Sequence, residues 1–204
     1  MPPNYLPWGE VQLDEEASFF AKWQIGLLDG DPAACFAALN RSKLEYRQLP
    51  DRTLENGCGV AARTNIVKSH IAYSSGFEAP CALSAALYWY EQRLNLIALR
   101  DLGTEVERIE HFGTYACRNI YGRAEDRRSA HATARAIDIA GFRLADGRAI
   151  SVLRDWGDNT REARFLKAAH DESCRFFGIV LSPDYNRAHA NYLHLELGRF
   201  RLCR

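Results

Sequence analysis

The first half of the chain carries apolar residues at helical spacing, which predicts three helices. In residues 14–28 the spacing is set by three large side chains, those of Phe19, Trp23 and Leu27. Asp31 and Pro32 then provide an N-cap and a first helical residue for a second helix. The longest pattern covers residues 81–100, with one apolar face formed by Leu83, Leu87, Tyr90 and Leu94.

The second half alternates apolar and polar residues with the period of two that is typical of strands. Residues 105–118 fit one strand, and AIDIAGFRL and RAISVLRDW flank Asp146–Gly147 as a β-hairpin. Thr160 is the expected cap of a helix that runs to about Phe177, and YLHLELGRF near the C-terminus fits a further strand. Helices that cluster early and strands that cluster late predict an α+β fold with a small, largely antiparallel sheet flanked by helices.

A length of 204 residues is enough for one well-filled core. We therefore expect an N-terminal extension with a helix over residues 1–30 and one domain over residues 31–204. Lys plus Arg and Asp plus Glu are equal at 26 each, so the chain lacks the basic excess that nucleic-acid binding requires. No run of about 18 apolar residues is present, which predicts no membrane span.

Six widely spaced cysteines, none of them in a CxxC pair, bear on the compartment. An even count of this kind fits three disulfides in an oxidising environment, and six reduced core thiols are the alternative. Pairing between neighbouring elements predicts Cys35–Cys58, Cys81–Cys117 and Cys174–Cys203. The first residues, MPPNYLPWGE, show no signal peptide, so the disulfide interpretation implies an extracytoplasmic chain without its targeting segment.

Asp138 interrupts the apolar strand AIDIAGF, and a buried carboxylate is costly unless it is paired, hydrogen-bonded or bound to a metal. His131 lies just before this strand, and His194 lies on another. If the two strands are neighbours, Asp138 and His194 project from the same face and the loop brings His131 to them. Two His and one carboxylate with an open position suit a catalytic zinc site. The alternative is that each His is an ordinary residue bonded to backbone.

The stretch SAHATARAIDIAGF resembles the S-x-H-x(6)-D signature of the zinc peptidases that include lysostaphin, the D-Ala-D-Ala carboxypeptidases and the hedgehog signalling domain. The chain resembles the bacterial extensin-like C-terminal domain family more closely, through CFAAL, NGCGV, APCALSAAL, GTYACRNIYG and SPDYNRAHANYLHLELGR. The resemblance implies that residues 31–204 form a domain of the zinc-peptidase type. It also implies that Zn²⁺ is bound by His131, Asp138 and His194.

The same resemblance assigns roles to two further residues. Arg118, which follows GTYAC, occupies the position expected to hold a substrate carboxylate or carbonyl. Ser129 would support the ligands from outside the coordination sphere. From the residues alone, Arg118 in a surface ion pair is the alternative. A Ser-His-Asp triad of Ser129, His131 and Asp138 is disfavoured, because no G-x-S-x-G elbow surrounds the serine.

The residues before the distal His depart from the family pattern. Related peptidases place a general base there, but this chain has Asn191 and Tyr192, and neither is a good base near neutral pH. Tyr192 is then expected to stabilise a developing oxyanion, or His189 or Glu196 acts as the base. Glu196 lies two residues past His194 on the same strand face, and we also expect it to support the ligands from outside the coordination sphere. The signature also usually has Gly at the position of Ala134.

Two functions follow from this sequence. The first is a periplasmic, zinc-dependent hydrolase that cleaves the stem peptides of bacterial peptidoglycan. The second is a catalytically degenerate module that binds peptidoglycan or a protein. The three retained ligands favour the enzyme, and the changes at Asn191 and Tyr192 favour the module.

Overall fold

The computed structural model describes residues 6–198 and 200–204, so the first five residues of the expected N-terminal extension lie outside the description. The helices are α1 (Ala21–Gly30), α2 (Pro32–Asn40), α3 (Cys81–Leu102), α4 (Val152–Asp155) and α5 (Arg161–Ser173). The strands are β1 (Glu45–Gln48), β2 (Arg52–Glu55), β3 (Cys58–Val60), β4 (Arg63–Lys68), β5 (Ala72–Tyr73), β6 (Glu78–Pro80), β7 (Val106–His111), β8 (Ala136–Leu144), β9 (Ala149–Ser151), β10 (Ile179–Leu181), β11 (Leu193–Glu196) and β12 (Leu202–Cys203).

Side-chain caps fix where two helices begin. Asp31 Oδ1 accepts from the backbone N–H of Ala34 at 3.0 Å, which confirms the predicted start of α2. Thr160 Oγ1 accepts from the backbone N–H of Ala163 at 3.1 Å and caps α5 as predicted. That helix ends at Ser173 rather than near Phe177.

Helix α3 is the centre of the molecule and packs against α1, α2 and α5. The predicted apolar face is confirmed, because all four of its residues are buried: Leu83, Leu87, Tyr90 and Leu94. The aromatic run Tyr88–Trp89–Tyr90 is also buried and therefore belongs to the core. None of the helices in the described part of the chain is long and apolar enough to cross a membrane.

The first helix begins later than its spacing predicts. Ser18 Oγ accepts from the backbone N–H of Phe20 at 3.1 Å, and this turn delays the start of α1 to Ala21. The helix buries Ile25 and Leu28 in the common core. The three large apolar residues that defined the predicted helix are exposed instead, namely Phe19, Trp23 and Leu27.

The main sheet has the strand order β12-β10-β11-β8-β7-β5, with β9 beside β8. Strand β8 pairs antiparallel with β7, β9 and β11, whereas the short outer strands β5 and β12 pair parallel with their neighbours. Two smaller antiparallel sheets, β1-β4-β6 and β2-β3, complete the fold. The predicted α+β class with a largely antiparallel sheet is confirmed.

The hairpin after the candidate carboxylate is shorter than predicted. The turn at Asp146–Gly147 is present, and Gly147 supplies its positive φ of 89°. Strand β9 stops at Ser151, because Asp155 Oδ2 accepts from the backbone N–H of that residue at 2.7 Å and starts the short helix α4. RAISVLRDW is therefore part strand and part helix.

All six cysteines form disulfides, as predicted, but two of the three predicted pairs are wrong. The pairs are Cys35–Cys81, Cys58–Cys117 and Cys174–Cys203. Helix α2 lies against the start of α3, and strand β3 lies beside the segment that follows β7, so spatial neighbours pair instead of sequence neighbours. Cys174–Cys203 holds because α5 and β12 are adjacent. Three disulfides are typical of proteins from an oxidising, extracytoplasmic environment.

Candidate metal centre

The pairing of β8 with β11 brings two of the predicted ligands side by side. In this antiparallel pair His194 lies directly opposite Asp138, and Ile137 and Ile139 turn to the core on the other face of β8. His194 Nδ1 is 2.8 Å from Asp138 Oδ1. The strand adjacency on which the sequence prediction depended is therefore present.

His131 reaches the same point from a 3-10 turn, Ala130–Thr133, just before β8. Its Nε2 is 3.3 Å from His194 Nδ1 and 3.2 Å from Asp138 Oδ2. Ser129 Oγ accepts from the backbone N–H of His131 at 3.3 Å, so the serine shapes the turn. The structure brings all three predicted ligands together, and each is at least 92% buried.

The turn that carries His131 ends in a left-handed residue. Ala134 has a φ of 51°, a region that a residue with a Cβ adopts at a cost. The backbone N–H of Ala134 donates to His131 O at 3.1 Å, and this bond closes the turn. A Gly, which the resemblance leads us to expect at this position, would adopt this conformation without that cost.

The far nitrogen of each His is held by an acceptor, which determines the nitrogen that faces the centre. His131 Nδ1–H donates to the carbonyl oxygen of Thr114 at 3.0 Å. His194 Nε2–H donates to Glu196 Oε2 at 3.2 Å. With a cation bound, the lone pairs of His131 Nε2 and His194 Nδ1 would face it together with the Asp138 carboxylate; without a metal ion, a proton on these nitrogens is donated to Asp138.

The electrostatics of this cluster call for a positive charge between the three acceptors. Burial alone would raise the pKa of Asp138, but hydrogen bonds with His131 and His194 outweigh it and lower the pKa to about 2. Burial would lower the pKa of His194, but Asp138 and Glu196 together raise it to about 9. The carboxylate is thus ionised, and the site favours either a proton or a metal cation.

The donor set, two imidazole nitrogens and one carboxylate, is one that zinc accepts. Zn–N and Zn–O bonds of about 2.0–2.2 Å place neighbouring tetrahedral ligands about 3.3–3.5 Å apart. The two imidazole nitrogens are 3.3 Å apart, His131 Nε2 is 3.2 Å from Asp138 Oδ2, and His194 Nδ1 is closer, at 2.8 Å, to Asp138 Oδ1. A zinc ion held by these three residues would keep a fourth position for water or substrate, as in catalytic zinc sites.

Neither the second group of possible metal ligands nor the Ser-His-Asp triad forms a site in this structure. His170, Cys174 and Cys203 also lie within ligand distance of one another, but both cysteines are consumed by a disulfide. The hydroxyl of Ser129 accepts from backbone and is not bonded to the imidazole of His131, so a Ser-His-Asp triad is not assembled.

An aromatic rim surrounds the three ligands on one side. The ring of His189 is its centre, at centroid distances of 6.0 Å from His194, 5.2 Å from Tyr192, 6.4 Å from Tyr121 and 5.5 Å from Tyr185. Phe112 extends the rim through a contact with Tyr192 at 6.1 Å. His189 itself is buried, and the exposed or half-buried rings around it offer a surface for a bound molecule beside the three candidate ligands.

The pKa shifts in this rim separate His189 from Tyr192. Burial, together with the nearby His194, lowers the pKa of His189 to about 4, so its imidazole is neutral at neutral pH. Burial and the charge of Asp138 raise the pKa of Tyr192 to about 12, so its hydroxyl keeps its proton. The neutral imidazole of His189 therefore has a lone pair for a proton, which its lowered pKa makes it hold weakly, whereas Tyr192 can only donate a proton.

Two other predicted residues lie at the edge of the site. Arg118 is exposed, makes no ion pair within residues 6–198 and 200–204, and its charge acts on Tyr192. Glu196 Oε2 accepts from His194 Nε2–H, so this carboxylate orients a candidate ligand.

The chain matches the family model of the extensin-like protein C-terminus over residues 33–204. It belongs to that family. No curated protein and no solved structure gave a match. The extensin-like region includes all three candidate ligands, all six cysteines and the rim around His189.

Sequence reasoning missed one group that this extensin-like site uses directly. The acceptor for His131 is the backbone carbonyl of Thr114, and a carbonyl oxygen is present at every residue and leaves no signal in the side-chain pattern. Its segment is held in place by the hydrogen bond from Ala116 N to His131 O at 2.9 Å and by the Cys58–Cys117 disulfide.

Proposed function

We propose that this extensin-like chain is a zinc-dependent hydrolase that cleaves peptide bonds in the stem peptides of bacterial peptidoglycan. The observation that carries the proposal is the convergence of His131 Nε2, His194 Nδ1 and the Asp138 carboxylate at zinc-ligand spacing. Hydrogen bonds to Thr114 O and Glu196 orient both imidazoles for this task.

A zinc ion bound here would polarise the scissile carbonyl and lower the pKa of water near it. His189, which is neutral and lies beside His194, would accept the proton of the attacking water. Tyr192 would donate a hydrogen bond to the negative charge that develops on the carbonyl oxygen. Arg118 would hold a carboxylate or carbonyl of the substrate.

The choice of peptidoglycan as substrate is supported by the family and the compartment. The stretch SAHATARAIDIAGF resembles the signature of zinc peptidases that act on cell-wall peptides, and three disulfides suit the periplasm. The exposed guanidinium of Arg118 beside the site suits a substrate with a free carboxylate.

The test combines metal content with product analysis. Protein purified without chelator is analysed for zinc by mass spectrometry, and it is then incubated with purified peptidoglycan whose released fragments are identified. We expect close to one zinc per chain and new amino and carboxyl ends in the stem peptide. His131→Ala should remove both results, whereas His170→Ala, a buried His outside the site, should preserve them. Zinc bound without new peptide ends would contradict the hydrolase.

A non-enzymatic module that binds peptidoglycan is the second candidate, and the amide of Asn191 and the phenol of Tyr192 favour it. Losing a general base typically costs about 10²–10⁴ in rate. The double variant Asn191→Asp, Tyr192→His restores both family positions. If His189 already serves as the base, the double variant should gain little over the wild type. Strong hydrolysis that appears only in the double variant would identify the natural chain as the module.

A further inference from the structure

Asn186 forms a hydrogen-bonded chain with the two rings on either side of it. Its Oδ1 accepts from the backbone N–H of Ala188 at 2.9 Å and lies 2.8 Å from His189 Nδ1. Its Nδ2 donates to the phenolic oxygen of Tyr121 at 3.0 Å. Tyr121 belongs to the loop after β7 and Asn186 to the loop before β11. These hydrogen bonds therefore join the two loops beside the candidate metal centre.

The backbone amide of Ala188 determines which atoms of Asn186 and His189 carry hydrogen. A backbone N–H can only donate, so the amide atom of Asn186 that faces it must be the carbonyl oxygen. That oxygen can only accept, and therefore His189 Nδ1 must carry a hydrogen. In the neutral imidazole the lone pair is then on Nε2. The tautomer of His189 is thus determined by the backbone N–H of Ala188, which can only donate a hydrogen bond.

We propose that Asn186 is a positioning residue that fixes His189 in the tautomer whose Nε2 accepts a proton, and that Tyr121 holds Asn186 in place from the opposite loop. The tautomer stands on the hydrogen bonds alone, whereas the proton-accepting role depends on the proposed function. In that role, the water oxygen bonds to the carbonyl carbon while one of its protons moves to Nε2. When the C–N bond breaks, the same proton passes to the leaving amine nitrogen.

The backbone of Tyr121 supports a specific task for this residue. Its φ is 52°, which is unusual for a bulky side chain and persists only where contacts hold it. The bond from Asn186 Nδ2 to its oxygen and the ring contact with His189 are such contacts. Since Tyr121 accepts through its oxygen, its hydroxyl hydrogen remains free to donate to a bound molecule.

Nitrogen-15 NMR of the histidine side chains tests the tautomer directly on the full chain. Signals of His189 are assigned by their loss in His189→Gln. In the wild type we expect the hydrogen on Nδ1 and a non-protonated Nε2. His170 is the internal control, since its ring bonds to Asp171 and to Arg204 O, far from Asn186 in the chain. A wild-type His189 with its hydrogen on Nε2 would overturn the proposal without any variant.

Three variants then test the two positioning residues. Asn186→Ala removes the acceptor, and we expect a mixture of tautomers at His189. Asn186→Asp retains an acceptor oxygen for Ala188 and His189, and we expect it to keep the hydrogen on Nδ1. Tyr121→Phe retains the ring, and we expect a smaller shift in the same direction as Asn186→Ala. A His189 tautomer that is unchanged in Asn186→Ala would contradict the role of Asn186, and no shift in Tyr121→Phe would contradict that of Tyr121.

Rates of peptide hydrolysis separate the positioning of His189 by Asn186 from the proposed function. With zinc affinity unchanged, we expect Asn186→Ala to lower kcat roughly 10-fold or more at constant KM, and Asn186→Asp to restore it. A merely structural role would also change KM and would not be rescued by the aspartate. If the tautomer is as expected but the wild type cleaves no peptide, the positioning of His189 stands and its proton-accepting role is refuted.

Discussion

Glu91 and Asp138 are the two carboxylates buried in the described part of the chain, and their partners differ. Glu91, on α3, accepts hydrogen bonds from neutral donors, namely the hydroxyl of Ser69, the hydroxyl of Tyr73 at 2.5 Å and the backbone N–H of Ile71 at 3.2 Å. Burial outweighs these bonds and raises the pKa of Glu91 to about 7. Asp138 faces two imidazoles, and its pKa is lowered to about 2.

The comparison shows that burial of a carboxylate does not by itself make a metal site. Neutral donors around Glu91 satisfy its oxygens and tie the chain before β5 to the central helix, which is a structural role. Around Asp138 the partners are His nitrogens whose other ring nitrogens are already held by Thr114 O and Glu196. Two imidazole nitrogens that converge on an ionised carboxylate provide a place for a cation, which is a proton or a metal ion.

The largest expected effect is on zinc affinity, measured by calorimetry in matched amide variants. Asp138→Asn should weaken zinc binding more than 100-fold, because even partners outside the coordination sphere typically account for about 10–100-fold. Glu91→Gln, the same chemical change at the other buried carboxylate, should leave zinc affinity unchanged. Equal losses of zinc affinity in the two variants would contradict the assignment of Asp138, and not Glu91, to the metal site.

The second effect is a pH dependence of stability that belongs to Glu91. The pKa of Glu91 is raised from 4.5 to about 7 in the folded state, so the folded protein binds this proton more tightly than the unfolded chain. Its contribution to the free energy of unfolding is therefore fully present below pH 4.5 and is lost as the pH rises through 7. The loss amounts to something on the order of 3 kcal/mol. Denaturant unfolding of metal-free protein at several pH values should show this decline in the wild type but not in Glu91→Gln. Parallel pH profiles for the two proteins would refute it.

A third, smaller effect concerns the orientation of His194. Glu196→Ala removes the acceptor from His194 Nε2 and should weaken zinc binding by about 10–100-fold without abolishing it. Glu107→Ala, an exposed glutamate on β7, is the control and should have no effect. A complete loss of zinc in Glu196→Ala would instead make Glu196 a ligand.

The smallest effect concerns the turn that presents His131. Ala134→Gly relieves the left-handed backbone but also makes the unfolded chain more flexible, so we expect a gain of less than about 1 kcal/mol. Ala132→Gly, in the same turn, has no such strain to relieve and should destabilise by roughly 0.4–1 kcal/mol. Thermal unfolding distinguishes the two, and a larger loss in Ala134→Gly would contradict the strain argument.

The sequence predicted which side chains converge at the candidate centre better than it predicted their surroundings, for a physical reason. Asp138 and His194 could be paired because a period of two fixes the face of a strand residue, and the register then places them opposite each other. Thr114 O could not be predicted, since backbone acceptors depend on where the chain passes in space. Glu196 was placed near the site correctly, but its bond to His194 Nε2 appears only in the structure.

The same distinction applies to the fold. Local chemistry at Asp31 and Thr160 predicted the starts of two helices, because a cap acts within one turn. Disulfide partners depend on which elements meet in three dimensions, so Cys35 pairs with Cys81 and not with its sequence neighbour. The stripe of Phe19, Trp23 and Leu27 has helical spacing, but the opposite face of α1 is the one that α3 covers.

The most direct test of the central claim is a crystal structure with equimolar zinc and anomalous diffraction measured at the zinc edge. We expect one strong peak about 2.0–2.2 Å from His131 Nε2, His194 Nδ1 and an Asp138 carboxylate oxygen, with a fourth position free of protein ligands. A site without a peak, in which the His and Asp side chains bond only to one another, would contradict it.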